Sequence, residues 1–232
     1  MVLLYKKLFI LLFSILVVTS GVYSQAIFTA TDFFNQLSST YAAIEDYQAD
    51  ITITRGGTTM SGVLFHKEPG LLRINFSNPQ EQVIVFDGKR LLIHIPRFRV
   101  TMSQHISPRN QITSGASIAS RDGLALLRRN YSVAFLESPN QVPLDRGAGA
   151  NEMVTKLRFV WRSTQEGFRQ IDVSVGANGY IRRVIGVTSE NEVVQFDFLN
   201  IVVNQGIPDV RFNYTPPPAA NVFENFLFEP GS

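Results

Sequence analysis

Cysteine is absent from the 232-residue chain. Its absence excludes disulfides, a thiol nucleophile and thiolate metal sites, and leaves nothing to carry a thioether-linked acyl anchor. Histidine is scarce: His66, His94 and His105 are the full set. Their spacing matches no local metal site, and each reads as a partly exposed strand residue. Neither a G-x-S-x-G elbow nor an H-E-x-x-H helix occurs, so no catalytic residue is assigned and an enzyme is not expected. Asp87-Gly88 reads as hairpin chemistry rather than as a catalytic acid. Nothing in the chain calls for a cofactor.

Long apolar runs are equally scarce, with one exception at the start. Leu8 to Val18 follows Lys6 and Lys7 and closes on Thr19, Ser20 and Gly21. The run is short of the ~20 apolar residues that span a bilayer. With Val22 and Ser24 at the positions a signal peptidase reads, it has the form of an export signal cleaved before Gln25. The expectation is a signal at residues 1–24, one domain at 25–232, and a periplasmic location. Without Lys6 and Lys7 the chain holds 19 basic and 19 acidic residues. A neutral domain has no general attraction for nucleic acid. Phenylalanine is abundant, at 18 residues, and so much aromatic surface must fill a core or line a cavity.

One helix followed by many strands is the pattern that follows. Phe33, Phe34, Leu37, Tyr41 and Ile44 recur at three- and four-residue spacing, predicting a helix over 31–44 with Thr31 as N-cap. From Tyr47 the period becomes two, and Gly56-Gly57 turns the chain into a second strand at 58–66. Turns then bound strands near 71–76, 82–86, 90–95 and 99–103. Spacing this short leaves no room for crossover helices, so neighbours should pair antiparallel. Ile118, Leu124, Leu127 and Tyr131 suggest short helices interrupted near Gly123, or an ordinary loop. Strands resume at 131–136, 155–161, 170–175, 180–188 and 193–203, and a last one at 210–214 stops at Pro216-Pro217-Pro218. The fold class is mainly β with helices (α+β). Its architecture is an open antiparallel barrel whose mouth the helices cover. The helices either plug a packed core or lid an apolar cavity.

The run from Gly62 through Lys67-Glu68-Pro69-Gly70 to Ile74 resembles the LolA-type periplasmic lipoprotein carriers. So do Pro79, Val83 to Lys89, Leu91 to Pro96, Thr188 to Phe198, and Phe212 to Pro217. The resemblance implies a half-open barrel, a helical lid, and acyl chains held in an apolar cavity between them. It implies a soluble carrier of acylated lipoproteins that acts as a monomer. The carrier would take cargo from an inner-membrane lipoprotein-releasing transporter to an outer-membrane acceptor. The alternative is a lipid-binding or sensor module of the same fold that transfers nothing. In the family's pattern an arginine before the turn proline bonds the lid; here that residue is Glu68, so any latch must use other groups.

Candidate lid residues are Phe33, Leu37 and Tyr41. Candidate barrel residues are Leu72, Ile74 and Phe76, with Leu64, Val83 and Val85 next. Arg73 and Asn75 should face solvent. Arg97, Arg99, Arg109, Arg121, Arg128 and Arg129 are concentrated in the middle third, as a solvated face or as a surface for an acidic partner or lipid headgroups.

Overall fold

The computed structural model describes residues 28–106, 115–145, 147, 152–164 and 166–226. The expected export signal and Arg109 lie outside the described residues. The chain opens with α1 (Ala30–Ala42), followed by β1 (Asp46–Arg55), β2 (Thr58–Lys67), β3 (Leu71–Asn78), β4 (Val83–Phe86), β5 (Arg90–Ile95) and β6 (Val100–His105). Two helices come next, α2 (Gly115–Ile118) and α3 (Arg121–Asn130). The remaining strands are β7 (Tyr131–Phe135), β8 (Val142–Pro143), β9 (Met153–Trp161), β10 (Phe168–Gly176), β11 (Ile181–Thr188), β12 (Val193–Val203) and β13 (Asn221–Glu224).

They form one sheet in the order β13-β6-β5-β4-β3-β2-β1-β12-β11-β10-β9-β7, with β8 paired to β9. Among the described residues β13 and β7 are its open edges, so the sheet curls without closing. The helices fill the curl. Phe34 of α1 meets Phe159 of β9 edge-on at 5.0 Å, and Phe33 meets Phe135 of β7 at 6.1 Å. The same buried cluster takes in Leu64, Leu72, Ile74 and Phe76 from the other half of the sheet, with Leu124 and Leu127 of α3.

Several local expectations need correction. The N-cap of α1 is Thr29 rather than Thr31. Thr29 Oγ1 accepts from the Asp32 N–H at 3.1 Å, and Asp32 Oδ2 accepts from the Thr29 N–H at 3.0 Å, a complete capping box. Gly123 does not interrupt a helix. It lies within α3, where a Cβ would come 2.1 Å from the Ser117 carbonyl oxygen, so glycine lets α2 and α3 approach. The break falls at Ser120, whose hydroxyl caps α3 by accepting from the Gly123 N–H at 3.0 Å. Residues 210–214 are no strand: a 3-10 turn, Asp209–Phe212, leads into an extended segment. The chain also continues past its prolines, returning as β13 to pair parallel with β6, the one departure from antiparallel pairing among the described residues.

That C-terminal segment straps the convex face. The buried Asp46 carboxylate accepts from the N–H groups of Gln205, Gly206 and Ile207 at 2.8–3.0 Å. Lys67 Nζ donates to the Ile207 carbonyl at 2.8 Å and to Asp209 at 2.5 Å. Arg73 Nη1 donates to the Arg211 carbonyl at 2.9 Å, and its guanidinium lies over the Tyr214 ring. Arg73 and Asn75 are therefore half-buried beneath or beside the strap instead of facing open solvent.

Candidate functional site

Helix α1 places Phe34, Leu37 and Tyr41 at positions i, i+3 and i+7, one line along its inner side. Each is about 3% exposed. Phe33 lies at the rim, half-buried between Phe28 and Phe135. Opposite this line, antiparallel pairing sets the concave face of the sheet. Leu64 pairs with Ala49 and Ile74, and Ile74 pairs in turn with Ile84. Leu72 pairs with His66 and Phe86. Directly paired residues share a face, so Leu64, Leu72, Ile74 and Phe76 point inward, joined by Ile84 and Phe86.

Val83 and Val85 belong to the other face. They pair with Asn75 and Arg73, and Val85 is buried beneath the convex-side strap rather than under the helices. All four residues of β4 are apolar, so alternation within the strand could not distinguish its faces; only the register against β3 does. Tyr47, His66, Phe34, Ile84 and Phe86 are inward residues that the candidate set omitted. The α1 stripe already contained Phe34. His66 was hidden because a lone polar residue on an alternating strand reads as exposed.

Both strand histidines at 66 and 94 are in fact buried, while His105 is exposed. His94 Nδ1 shares a hydrogen bond with Thr101 Oγ1 at 2.9 Å on the convex side. His66 stacks on Tyr47 inside the curl, and burial pulls its pKa down to about 4. Burial raises the Tyr41 and Tyr47 phenols. The interior is therefore uncharged at neutral pH, an apolar space with a few neutral polar atoms.

Polar contacts hold the helices at the rim. Arg121 Nη2 donates to the Ala42 carbonyl at 2.7 Å, tying α3 to the end of α1. Arg128 Nη1 donates to Asn35 Oδ1 at 2.6 Å, and its guanidinium lies 5.2 Å from the Phe34 ring centre. Glu68 Oε1 accepts from the Arg121 backbone N–H at 3.2 Å. Its carboxylate thus faces the first turn of α3, where free N–H groups favour negative charge. Burial raises the Glu68 pKa, and the Arg121 N–H partly offsets that. Tyr41 Oη accepts from the Ile181 N–H at 3.0 Å, pinning α1 to β11. Two of the six clustered arginines thus tie the helices together.

Among the described residues no group of three or more potential ligands could hold a metal ion, and no helix is long and apolar enough to cross a membrane. Residues 52–215 match the family model for the outer membrane lipoprotein carrier protein LolA. The chain is 24% identical over 162 residues to the outer-membrane lipoprotein carrier protein of Dechloromonas aromatica (strain RCB), covering 70% of each chain. It is 25% identical over 195 residues to the protein of that name in Bordetella avium (strain 197N), covering 81% of this chain and 85% of that one. Among solved structures, an uncharacterized conserved protein from Thermus thermophilus aligns with a TM-score of 0.51 at 12% identity. The alignment covers 84% of this chain and 98% of that one, a likeness of fold.

Proposed function

The chain belongs to the LolA family of outer membrane lipoprotein carrier proteins, and from that premise we propose that it binds lipoprotein acyl chains between helices and sheet. It is exported, processed to residues 25–232 as a single domain, and moves cargo across the periplasm from an inner-membrane transporter to an outer-membrane acceptor. No covalent bond is made or broken. The observation that carries this reading is the contrast between the apolar inner side of the helices and the few polar contacts at their rim.

Energetics fit reversible loading. Each buried methylene contributes about 0.8 kcal/mol, so even part of one acyl chain gives useful affinity. Phe34, Leu37 and Leu127 already occupy the interior, so cargo must displace their contacts. Net affinity is thereby reduced, which permits release. Opening also breaks the rim contacts of Arg121, Arg128 and Glu68, each a hydrogen bond to a charged group that contributes about 1.5–3 kcal/mol, and less where water screens it.

Site-specific photo-crosslinking tests the assignment. A crosslinker at 72, 74, 76, 84 or 86 should capture an acylated lipoprotein, whereas one at 83 or 85 should not. Equal capture from both sets would place cargo on the surface and defeat the reading. Capture without subsequent delivery to outer-membrane vesicles would instead indicate a sensor module.

A further inference from the structure

Tyr47 and His66 are cross-strand partners on β1 and β2, with rings stacked at 5.1 Å and 24° between planes. They are 2% and 3% exposed and face inward, in register with Leu64 and Leu72. Among the described residues neither Tyr47 Oη nor His66 Nδ1 has a hydrogen-bond partner. The other buried tyrosines of the same interior are satisfied: Tyr41 Oη accepts from the Ile181 N–H, and Tyr131 Oη donates to the Phe168 carbonyl at 2.9 Å. An unpaired polar atom in an apolar interior is unfavourable, and phenylalanine would stack at either position without that penalty. Two such atoms on touching rings therefore indicate a partner that arrives from outside.

We propose that Tyr47 and His66 form a polar subsite that receives the ester or amide carbonyl of a bound acyl chain. The inference rests on the acyl-carrier reading and adds where the polar end of the chain sits. The Tyr47 hydroxyl donates to the carbonyl oxygen. His66 Nδ1 supplies an N–H or a lone pair to the same head, according to tautomer. The hydrocarbon tail then runs along the row built by Leu64 and Ile74.

Electrostatics select the head. Burial keeps His66 neutral at physiological pH, so it offers no fixed charge to a carboxylate. The Glu68 carboxyl acts on Tyr47 and opposes a second anion there. A neutral carbonyl suits the pair better than a free fatty acid does.

Titration calorimetry with 1-monopalmitoylglycerol, palmitate and hexadecane at about pH 7.5 tests the subsite, since His66 is neutral there. The wild type should bind the ester more tightly than either of the other two. Tyr47→Phe and His66→Phe should each weaken ester binding about three- to tenfold and leave hexadecane binding unchanged. Tyr47→Phe should melt no lower than the wild type, because its hydroxyl has no internal partner to lose. Should His66→Phe fail to fold, Tyr47→Phe alone decides. Unchanged ester affinity in Tyr47→Phe, or a lowered melting temperature, would overturn the subsite. Equal binding of ester and hexadecane by the wild type would remove the subsite but keep the acyl carrier. Binding of none of the three would remove both.

Discussion

His66 links residue-scale chemistry to stability. Its imidazole is buried and held near pKa 4, against about 6.5 when the chain unfolds. Between those values the unfolded state binds more protons than the folded one, so stability rises with pH. The contribution is fully present above about pH 6.5 and is lost as pH falls toward 4. Chemical denaturation of the wild type should show a loss of a few kcal/mol across that window, on the order of 1.4 kcal/mol per pKa unit. His66→Phe should show a clearly smaller loss. Gly123 allows a second test at this scale. A methyl group there would overlap the Ser117 carbonyl, so Gly123→Ala should lower stability by about 1–3 kcal/mol in thermal unfolding.

Helices α1 and α3 behave as a unit whose inner side is apolar and whose rim is polar. Leu37 is 3% exposed, so Leu37→Glu would bury an unpaired charge and should cost on the order of 3–5 kcal/mol. A loss under about 1 kcal/mol, the size of a surface change, would show that α1 borders open space. The rim contacts predict a different response. Removing Arg121 and Arg128 together should speed amide exchange in α3 while shifting the melting temperature by only a few degrees. Because the chain has no cysteine, Glu68→Cys with Asp122→Cys gives a unique pair for a short, reducible dithiol linker. Linking should abolish uptake of a fluorescent acyl probe, and reduction should restore it. Uptake by the linked protein would show that α3 need not leave the Glu68 turn.

Across the whole molecule, the C-terminal strap and the helices cover opposite faces of one sheet. Val85, Leu92 and Phe212 are buried yet stand outside the cluster beneath the helices. The strap therefore seals its own side, and opening the helices need not disturb it. The structure accounts for Phe212 to Pro217 in the family pattern as part of this cover rather than as a closing strand. Deleting residues 205–226 should expose Val85 and Leu92 and drive aggregation, detectable by light scattering, although Asn204 keeps its hydrogen bonds to Ala43 and Glu45 at the end of α1.

Much of this architecture was legible in the sequence alone. Helical spacing identified α1 and its inner line, and turn residues placed β5 and β12 at their observed bounds, 90–95 and 193–203. Local backbone chemistry and hydrophobic period suffice for such features, since they act over a few residues. The family pattern was readable as well, because it lies in the order of short motifs along the chain. The inward side of β4, the burial of His66, the contact of Glu68 with α3 and the path of residues 204–226 were not. Each depends on partners from 10 to 161 residues away: Ile74 for Ile84, Arg121 for Glu68, Asp46 for Ile207. The composition of one strand or turn carries no record of such partners, and only the assembled sheet and its two coverings decided them.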